Sequence, residues 1–491
     1  MQMRSETKKT IAILGAAGSL IAAAMMLQKN AGGASGGLQP VGIRPTSDEP
    51  PSEVAKCDAD APARGDKDLG VGRLHASLSS GKILRGTGGA IHAGFDLSAM
   101  TAIAGPRPAL NLAIVIDRSG SMAGERLDYA KSAAIGIVER LGDADRVALV
   151  QYDDNAQVVV SSIPTDRSGK DRLRGAIREL TVGGSTNLHE GMTLGRDEVQ
   201  RTLTAGQVSR IILLSDGKAN AGVIDQSAIA DTARTAAEKG VRITSVGVGL
   251  DYNEDLMEAI AEAGRGNYYY VKNSVDLEKV MAGEMAGIQA TVATNVELRL
   301  RAACAGVEIG EVLGYETRRE GDAVVVPMAD LFGGDSRKLL VALKVPDRQN
   351  GKMGTVQGEL SYRDARSGET KKVAIALGVE VTDDHAAVND SIDKDVMAQV
   401  LKAQAAQSMR EAAAAYEKGD KQGAISILHA SESTIEQTRG RFGISAQAAA
   451  PALGGLRVMA DEAAKADPSS GDGKDLVKKN KATARDLSKG K

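Results

Sequence analysis

The chain has 491 residues, a formal net charge of −3, no tryptophan and only 2% aromatic residues. That balance gives no basic field for nucleic acid, and so few rings give no base-stacking platform. The length exceeds what one hydrophobic core fills, so two or three domains are expected.

In chain order, Thr10 to Leu27 is an uncharged, mostly apolar run, preceded by Arg4, Lys8 and Lys9 and followed by the Gly/Ser segment 31–37. Residues 1–27 therefore read as a secretion signal or an N-terminal membrane anchor, with the bulk of the chain exported to the cell envelope. Cleavage is left open. The segment Ile11 to Gly18 imitates half of a dinucleotide fingerprint. It has no third glycine in register and no acid-bearing strand about twenty residues on, so that reading is set aside. Residues 28–68, rich in Gly, Pro, Ala and charge, read as a flexible linker. From 69 to 108, short alternating runs bounded by glycines suggest β strands that join a later sandwich. The two cysteines, Cys57 and Cys304, lack metal-ligand spacing, and their pairing is left open.

Residues 109–287 alternate strand and helix patterns. Apolar runs at 112–116, 146–150, 210–214 and 241–248 read as strands, with a last strand at Asn267 to Val271. Between them, Leu127 to Leu141, Leu173 to Leu180, Leu188 to Leu203 and an Ala-rich stretch read as helices. The expected class is α/β, a doubly wound and mostly parallel sheet. Two of its strands end in oxygen-bearing side chains. Leu112 to Ile116 runs into Asp117, Ser119 and Ser121, with Gly120 between the hydroxyls. Arg210 to Ser215 runs into Asp216. Between them the loop Val182 to Leu188 carries Thr186 among glycines. Hard divalent cations such as Mg²⁺ take oxygen ligands, and open α/β sheets bind ligands beyond the carboxyl ends of strands.

This set resembles the von Willebrand factor type A (vWA) domain, whose metal-ion-dependent adhesion site (MIDAS) has the pattern Asp-x-Ser-x-Ser … Thr … Asp. All five positions stand in order: Asp117, Ser119, Ser121, Thr186 and Asp216. The resemblance implies bound Mg²⁺, or Mn²⁺ or Ca²⁺. It also implies a protein partner presenting Asp or Glu to the metal, in a non-enzymatic adhesion or scaffold role. The enzyme motifs fail on inspection. Ser119 and Ser121 lack a nucleophile elbow and a His base, and His189-Glu190 lacks the second His of a zinc protease because position 193 is Thr. No phosphate-binding loop is present, so ATP hydrolysis by this chain is not expected. The alternative role is that of a vWA partner to a separate ATPase in complex assembly or metal insertion. Export would exclude a cytosolic ATPase as the direct partner.

From 291 to 382 the pattern is strands split by turn residues, read as an all-β sandwich. The strands before Ala109 would complete it, making the vWA segment an insertion. That layout resembles bacterial vWA proteins and the heavy chains of inter-alpha-trypsin inhibitor. Residues 384–440 read as a helical hairpin broken at Gly419-Asp420 and docked on the sandwich. The Lys-rich remainder, 441–491, reads as mostly disordered.

Overall fold

A computed structural model describes residues 60–86, 89–101, 107–204, 206–248, 252–271, 274–346 and 350–488. The N-terminal signal or anchor, most of the 28–68 linker and Cys57 lie outside the described residues. Among the described residues, no helix is long and apolar enough to cross a membrane.

The chain opens with β1 (Arg64–Asp68), β2 (Gly72–Leu78), β3 (Lys82–Leu84) and β4 (Gly89–Ala99). An α/β unit follows: β5 (Leu110–Asp117), α1 (Glu125–Glu139), β6 (Arg146–Tyr152), β7 (Ala156–Pro164), α2 (Arg167–Glu179) and α3 (Leu188–Arg201). It continues through β8 (Val208–Ser215), α4 (Gln226–Glu238), β9 (Val241–Val248), α5 (Glu254–Ala263), β10 (Arg265–Val271) and α6 (Ser274–Gln289). Then come β11 (Thr291–Ala302), β12 (Glu308–Leu313), β13 (Arg318–Glu320), β14 (Ala323–Pro327), β15 (Leu331–Phe332), β16 (Ser336–Val345), β17 (Gly351–Asp364) and β18 (Thr370–Thr382). Five helices end the chain: α7 (His385–Asp390), α8 (Lys394–Glu417), α9 (Lys421–Phe442), α10 (Ala446–Lys465) and α11 (Gly471–Ser488).

The α/β unit is built on one sheet of order β10-β9-β8-β5-β6-β7. Its pairs are parallel except β6–β7. Strand β5 is buried on both faces, which is why it reads as a nearly unbroken apolar run. Leu112, Ile114 and Ile116 pack toward α1, α2 and α6, while Ala113 and Val115 pack toward α3, α4 and α5.

Two further sheets, β1-β2-β4-β16-β12 and β13-β14-β11-β17-β18-β3 with β15 on β11, share one core. Strand β4 pairs with β16 from Gly89↔Val345 to Ser98↔Ser336, so strands on either side of the α/β unit lie in one sheet. The turn Gly333 to Asp335 holds both ends of the insertion. Ala99 N donates to Asp335 O (2.8 Å), Gly334 N to Met100 O (3.1 Å) and Gly333 N to Ala290 O (2.8 Å). Cys304 is buried and disulfide-bonded.

The sandwich meets the α/β unit at the amino ends of β8 and β9. Arg210 and Arg242 are each 1% exposed there. Arg210 pairs with Glu284 of α6 (2.8 Å) and with Asp330 (3.1 Å), and Arg242 Nε pairs with the other Asp330 oxygen (3.0 Å). Arg242 also donates to Asn295 of β11 (2.7 Å). Burial pushes the Glu284 carboxyl up, but Arg210 and hydrogen bonds from Thr244, Asn267 and Tyr269 outweigh it and hold it below the usual range. This seam lies at the amino ends of the strands, opposite the ends at which Asp117 and Asp216 stand.

His92 of β4 is buried in the sandwich, and among the described residues its Nε2 has no hydrogen-bond partner. Burial pushes its imidazole down to about 4 from 6.5. The unfolded chain takes up this proton below about pH 6.5, whereas the folded chain resists until about 4. The contribution is therefore complete above 6.5 and lost as pH falls, by at most about 3 kcal/mol. Urea midpoints of His92→Gln should fall less between pH 7 and 4.5 than those of wild type. Parallel curves would count against this.

Two expectations need correction. The linker ends before 64, because Arg64–Asp68 is strand β1, paired with β2 along its length. Its charged side chains suit a sheet edge, where one flank faces water. Residues 441–491 are not disordered up to 488, since α10 and α11 join α8 and α9 around one core containing Met409, Tyr416, Leu428, Leu456 and Leu476. The apolar stripe of α10 is largely alanine, a weak signal. The lysines of α11 find partners on the α/β unit and on α8: Lys478 bonds Glu254 (3.0 Å) and lies over the Tyr252 ring (3.7 Å), and Lys481 reaches Glu254 (3.2 Å) and Glu417 of α8 (3.0 Å). Helix α8 packs Val396 and Val400 against Leu313 and Leu340 of the sandwich.

Candidate metal centre

Strand order reverses on either side of β5, since β6 follows on one flank and β8 returns on the other. The crevice beyond the carboxyl ends of β5 and β8 is thus a topological switch point, where open α/β sheets place ligands. Asp117 is the last residue of β5, and Asp216 follows the last residue of β8. Both are 0% exposed.

The chain turns sharply after Asp117 because the carboxylate bonds the backbone two residues on: Ser119 N donates to Asp117 Oδ1 (2.9 Å). A short 3-10 turn, Gly120–Met122, follows, and the Ser119 and Ser121 hydroxyls lie 3.1 Å apart. The other carboxylate oxygen, Asp117 Oδ2, accepts from Ser215 Oγ (2.6 Å), which in turn accepts from Gly217 N (2.8 Å). Ser215 thus joins the two strand ends. Burial pushes the Asp117 carboxyl up to about 6. The Ser119 and Ser215 bonds pull it down, and the neighbouring Asp216 adds to the rise. Gly217 has φ +67°, and a Cβ there would come within 3.0 Å of Asn253 O and 2.9 Å of Met257 Cγ. Only glycine suits that turn.

Thr186 is 1% exposed and lies on the third loop. That loop is tied to the first by Gly120 N to Gly184 O (2.7 Å) and Gly183 N to Arg118 O (2.6 Å). Asn220, just beyond Asp216, fixes Thr186 from the other side. Its Oδ1 accepts from Thr186 N (2.7 Å), and its own N–H donates to Thr186 O (3.1 Å). Arg118 pairs with Asp153 (2.5 Å), beneath Gly183, where a Cβ would sit 2.0 Å from Asp153 Oδ2. All five residues singled out from the sequence therefore lie on three mutually bonded loops at one end of the sheet. His189, by contrast, is hydrogen-bonded to Thr232 (3.0 Å).

Ser215, Asn220 and Arg126 were not singled out from the sequence. Ser215 was visible only as the residue before Asp216. Arg126, the second residue of α1, donates to Ser121 O (3.0 Å) and stands 3.7 Å from Asp216 Oδ2. Among the described residues, that oxygen has no hydrogen-bond partner although it is buried. No cluster of three or more His, Cys, Asp or Glu that could hold a metal occurs among the described residues. The donors here are two carboxylates and three hydroxyls, an all-oxygen set suited to a hard cation. Val182, Val223 and Ile224, 42%, 38% and 62% exposed, sit on the loops around this crevice.

Residues 111–283 match the family model for the von Willebrand factor type A domain. The chain is 32% identical over 277 residues to the uncharacterized protein YfbK of Escherichia coli (strain K12), an alignment covering 54% of this chain and 47% of that one. The chain thus spans about half the length of that relative. It is 28% identical over 157 residues to human inter-alpha-trypsin inhibitor heavy chain H4, covering 31% of this chain and 17% of that one. Among solved structures, the von Willebrand factor type A protein from Catenulispora acidiphila superposes with a TM-score of 0.66 at 18% identity, covering 88% of this chain and 99% of that one. That likeness extends the shared fold beyond the α/β unit.

Proposed function

We propose, for a chain that carries a von Willebrand factor type A domain, that the crevice between β5 and β8 holds a divalent cation and uses it to capture an acidic residue of a protein partner. vWA domains are protein-interaction modules, and many bind through a divalent metal. The finer reading rests chiefly on Asp216 Oδ2, a buried carboxylate oxygen with no hydrogen bond, facing the same crevice as the buried Asp117. Leaving such an oxygen unpaired costs stability unless something positive reaches it.

Ser119, Ser121 and Thr186 would offer hydroxyl oxygens to the ion, and Asp117 and Asp216 would hold it directly or through water. Mg²⁺, Mn²⁺ or Ca²⁺ there supplies an open position for an anionic oxygen. The surrounding residues do the rest. Ser215 orients the Asp117 carboxylate, Asn220 fixes the Thr186 loop, and Val182, Val223 and Ile224 give a partner apolar surface around a charged centre. No step of bond chemistry is assigned to the site.

Titration of the full chain with Mg²⁺ or Mn²⁺ in a calorimeter should show one site. Partners recovered from envelope extract on the immobilised chain should be lost in chelator and restored by Mg²⁺. The same partners under all conditions would overturn the reading. Export through residues 1–27 is part of this proposal. Protease added to intact cells should cleave the chain, and full protection in cells and spheroplasts would favour partnership with a separate ATPase.

A further inference from the structure

We infer that Arg126 is the built-in counter-ion of the candidate metal centre and, once a divalent cation is in place, the second anchor for the partner's carboxylate. The inference rests on the metal reading above and adds a residue outside the five oxygen donors.

Arg126 Nη1 is held at 3.0 Å by the Ser121 carbonyl and stops 3.7 Å from Asp216 Oδ2. That separation is too long for a hydrogen bond but short for two opposite charges. Arg126 therefore offsets the charge of Asp216 without satisfying its oxygen. Its neighbours leave it free for this. Glu125 accepts from Tyr129 (2.6 Å), and Arg118 is engaged by Asp153 (2.5 Å) and the Thr181 carbonyl (3.1 Å). The Lys218 side chain is exposed. The Arg126 side chain is itself 30% exposed, so it is partly open to solvent beside Asp216.

Two consequences of opposite sign follow. A guanidinium beside the carboxylate pair repels any cation entering it, so Arg126 lowers the affinity for Mg²⁺. A guanidinium also has five N–H donors in a fork matched to a carboxylate, and here one of its nitrogens is committed to Ser121. With the crevice charge taken over by the cation, the remaining donors can meet a carboxylate oxygen that the cation does not hold. Arg126 thus weakens metal binding and strengthens partner binding. The partner is favoured most when metal and carboxylate arrive together.

The test uses the full chain and two defined probes, Mg²⁺ and acetate. Mg²⁺ is titrated in about 0.2 M chloride and then in about 0.2 M acetate, corrected for the weak association of Mg²⁺ with acetate. By linkage, a carboxylate that binds beside the metal raises the apparent Mg²⁺ affinity, by about tenfold if its dissociation constant is about 20 mM. Arg126→Gln should bind Mg²⁺ about tenfold tighter than wild type in chloride, and should lose most of the acetate enhancement. Arg126→Lys keeps the charge but not the fork, so its Mg²⁺ affinity in chloride should stay near that of wild type while the acetate enhancement falls. Unchanged Mg²⁺ affinity in Arg126→Gln, or an acetate enhancement equal to that of wild type, would overturn the inference and leave the metal reading standing. Wild type that binds no Mg²⁺ would overturn both.

Discussion

Mg²⁺ affinity is expected to fall by at least about a hundredfold in Asp117→Ala, while the metal-free fold survives. Asp117 is one of only two carboxylates among the five proposed donors, so its loss halves the formal negative charge available to the ion. The metal-free chain, however, gains little from this carboxylate. Burial and the neighbouring Asp216 lift its pKa to about 6, which means that the folded state holds the charged form reluctantly. Removing it relieves that repulsion at the cost of the Ser119 and Ser215 bonds. The distinguishing measurement is the melting temperature with and without Mg²⁺. Saturation at about a thousand times the wild-type dissociation constant should stabilise wild type by about 4 kcal/mol and Asp117→Ala, at a hundredfold weaker affinity or worse, by no more than about 1.4 kcal/mol. Equal metal-induced shifts in the two chains would sink the site assignment.

The largest loss of stability is expected at the opposite end of the sheet. Asp330→Ala removes the carboxylate that Arg210 and Arg242 share, leaving two guanidinium groups at 1% exposure short of a partner. Glu284 still compensates Arg210, but Arg242 keeps only Asn295 and the Ala237 carbonyl, both neutral. Breaking a buried ion pair by deleting one member costs about 3–5 kcal/mol, because the stranded charge cannot regain water. Denaturant unfolding should show that loss. Asp335→Ala is the control: its carboxylate pairs with Arg337 (2.7 Å) but is itself more exposed, so the loss should be smaller. A cost below about 1 kcal/mol for Asp330→Ala would mean that water reaches the seam.

What the sequence made legible follows from range. Asp117, Ser119 and Ser121 lie within five residues at the end of an apolar strand, and Asp216 ends another, so local pattern was enough to find them. Ser215 matters through its bond to Asp117, and Arg126 through its nearness to Asp216, each far away in sequence, which periodicity does not encode. Arg210 and Arg242 stand near strand starts and look like ordinary solvent-facing charges. Their partners come from α6 and from the turn before β15, more than seventy residues later. The C-terminal helices were missed for the same reason. The lysines of α11 read as a solvated tail until Tyr252, Glu254 and Glu417 are placed opposite them. Strand β1 was missed because an edge strand need not alternate apolar and polar residues.

The insertion of the α/β unit between β4 and β11 also sets the order of events on the ribosome. Strand β4 emerges long before β16, its partner over ten residue pairs, and the whole six-stranded sheet is synthesised in the interval. That sheet draws every strand from its own stretch of chain, so it can close while the rest is still being made. The sandwich cannot. Its earliest strands wait as a nascent ribbon with the β16-facing flank of β4 unpaired, the arrangement most exposed to pairing with the wrong chain. The turn Gly333 to Asp335 is where the wait ends: it grips both stems of the finished insertion and leads directly into β16. A clustered loss of soluble protein from substitutions in this turn, with the α/β unit still folded, would be the cellular trace of that last step.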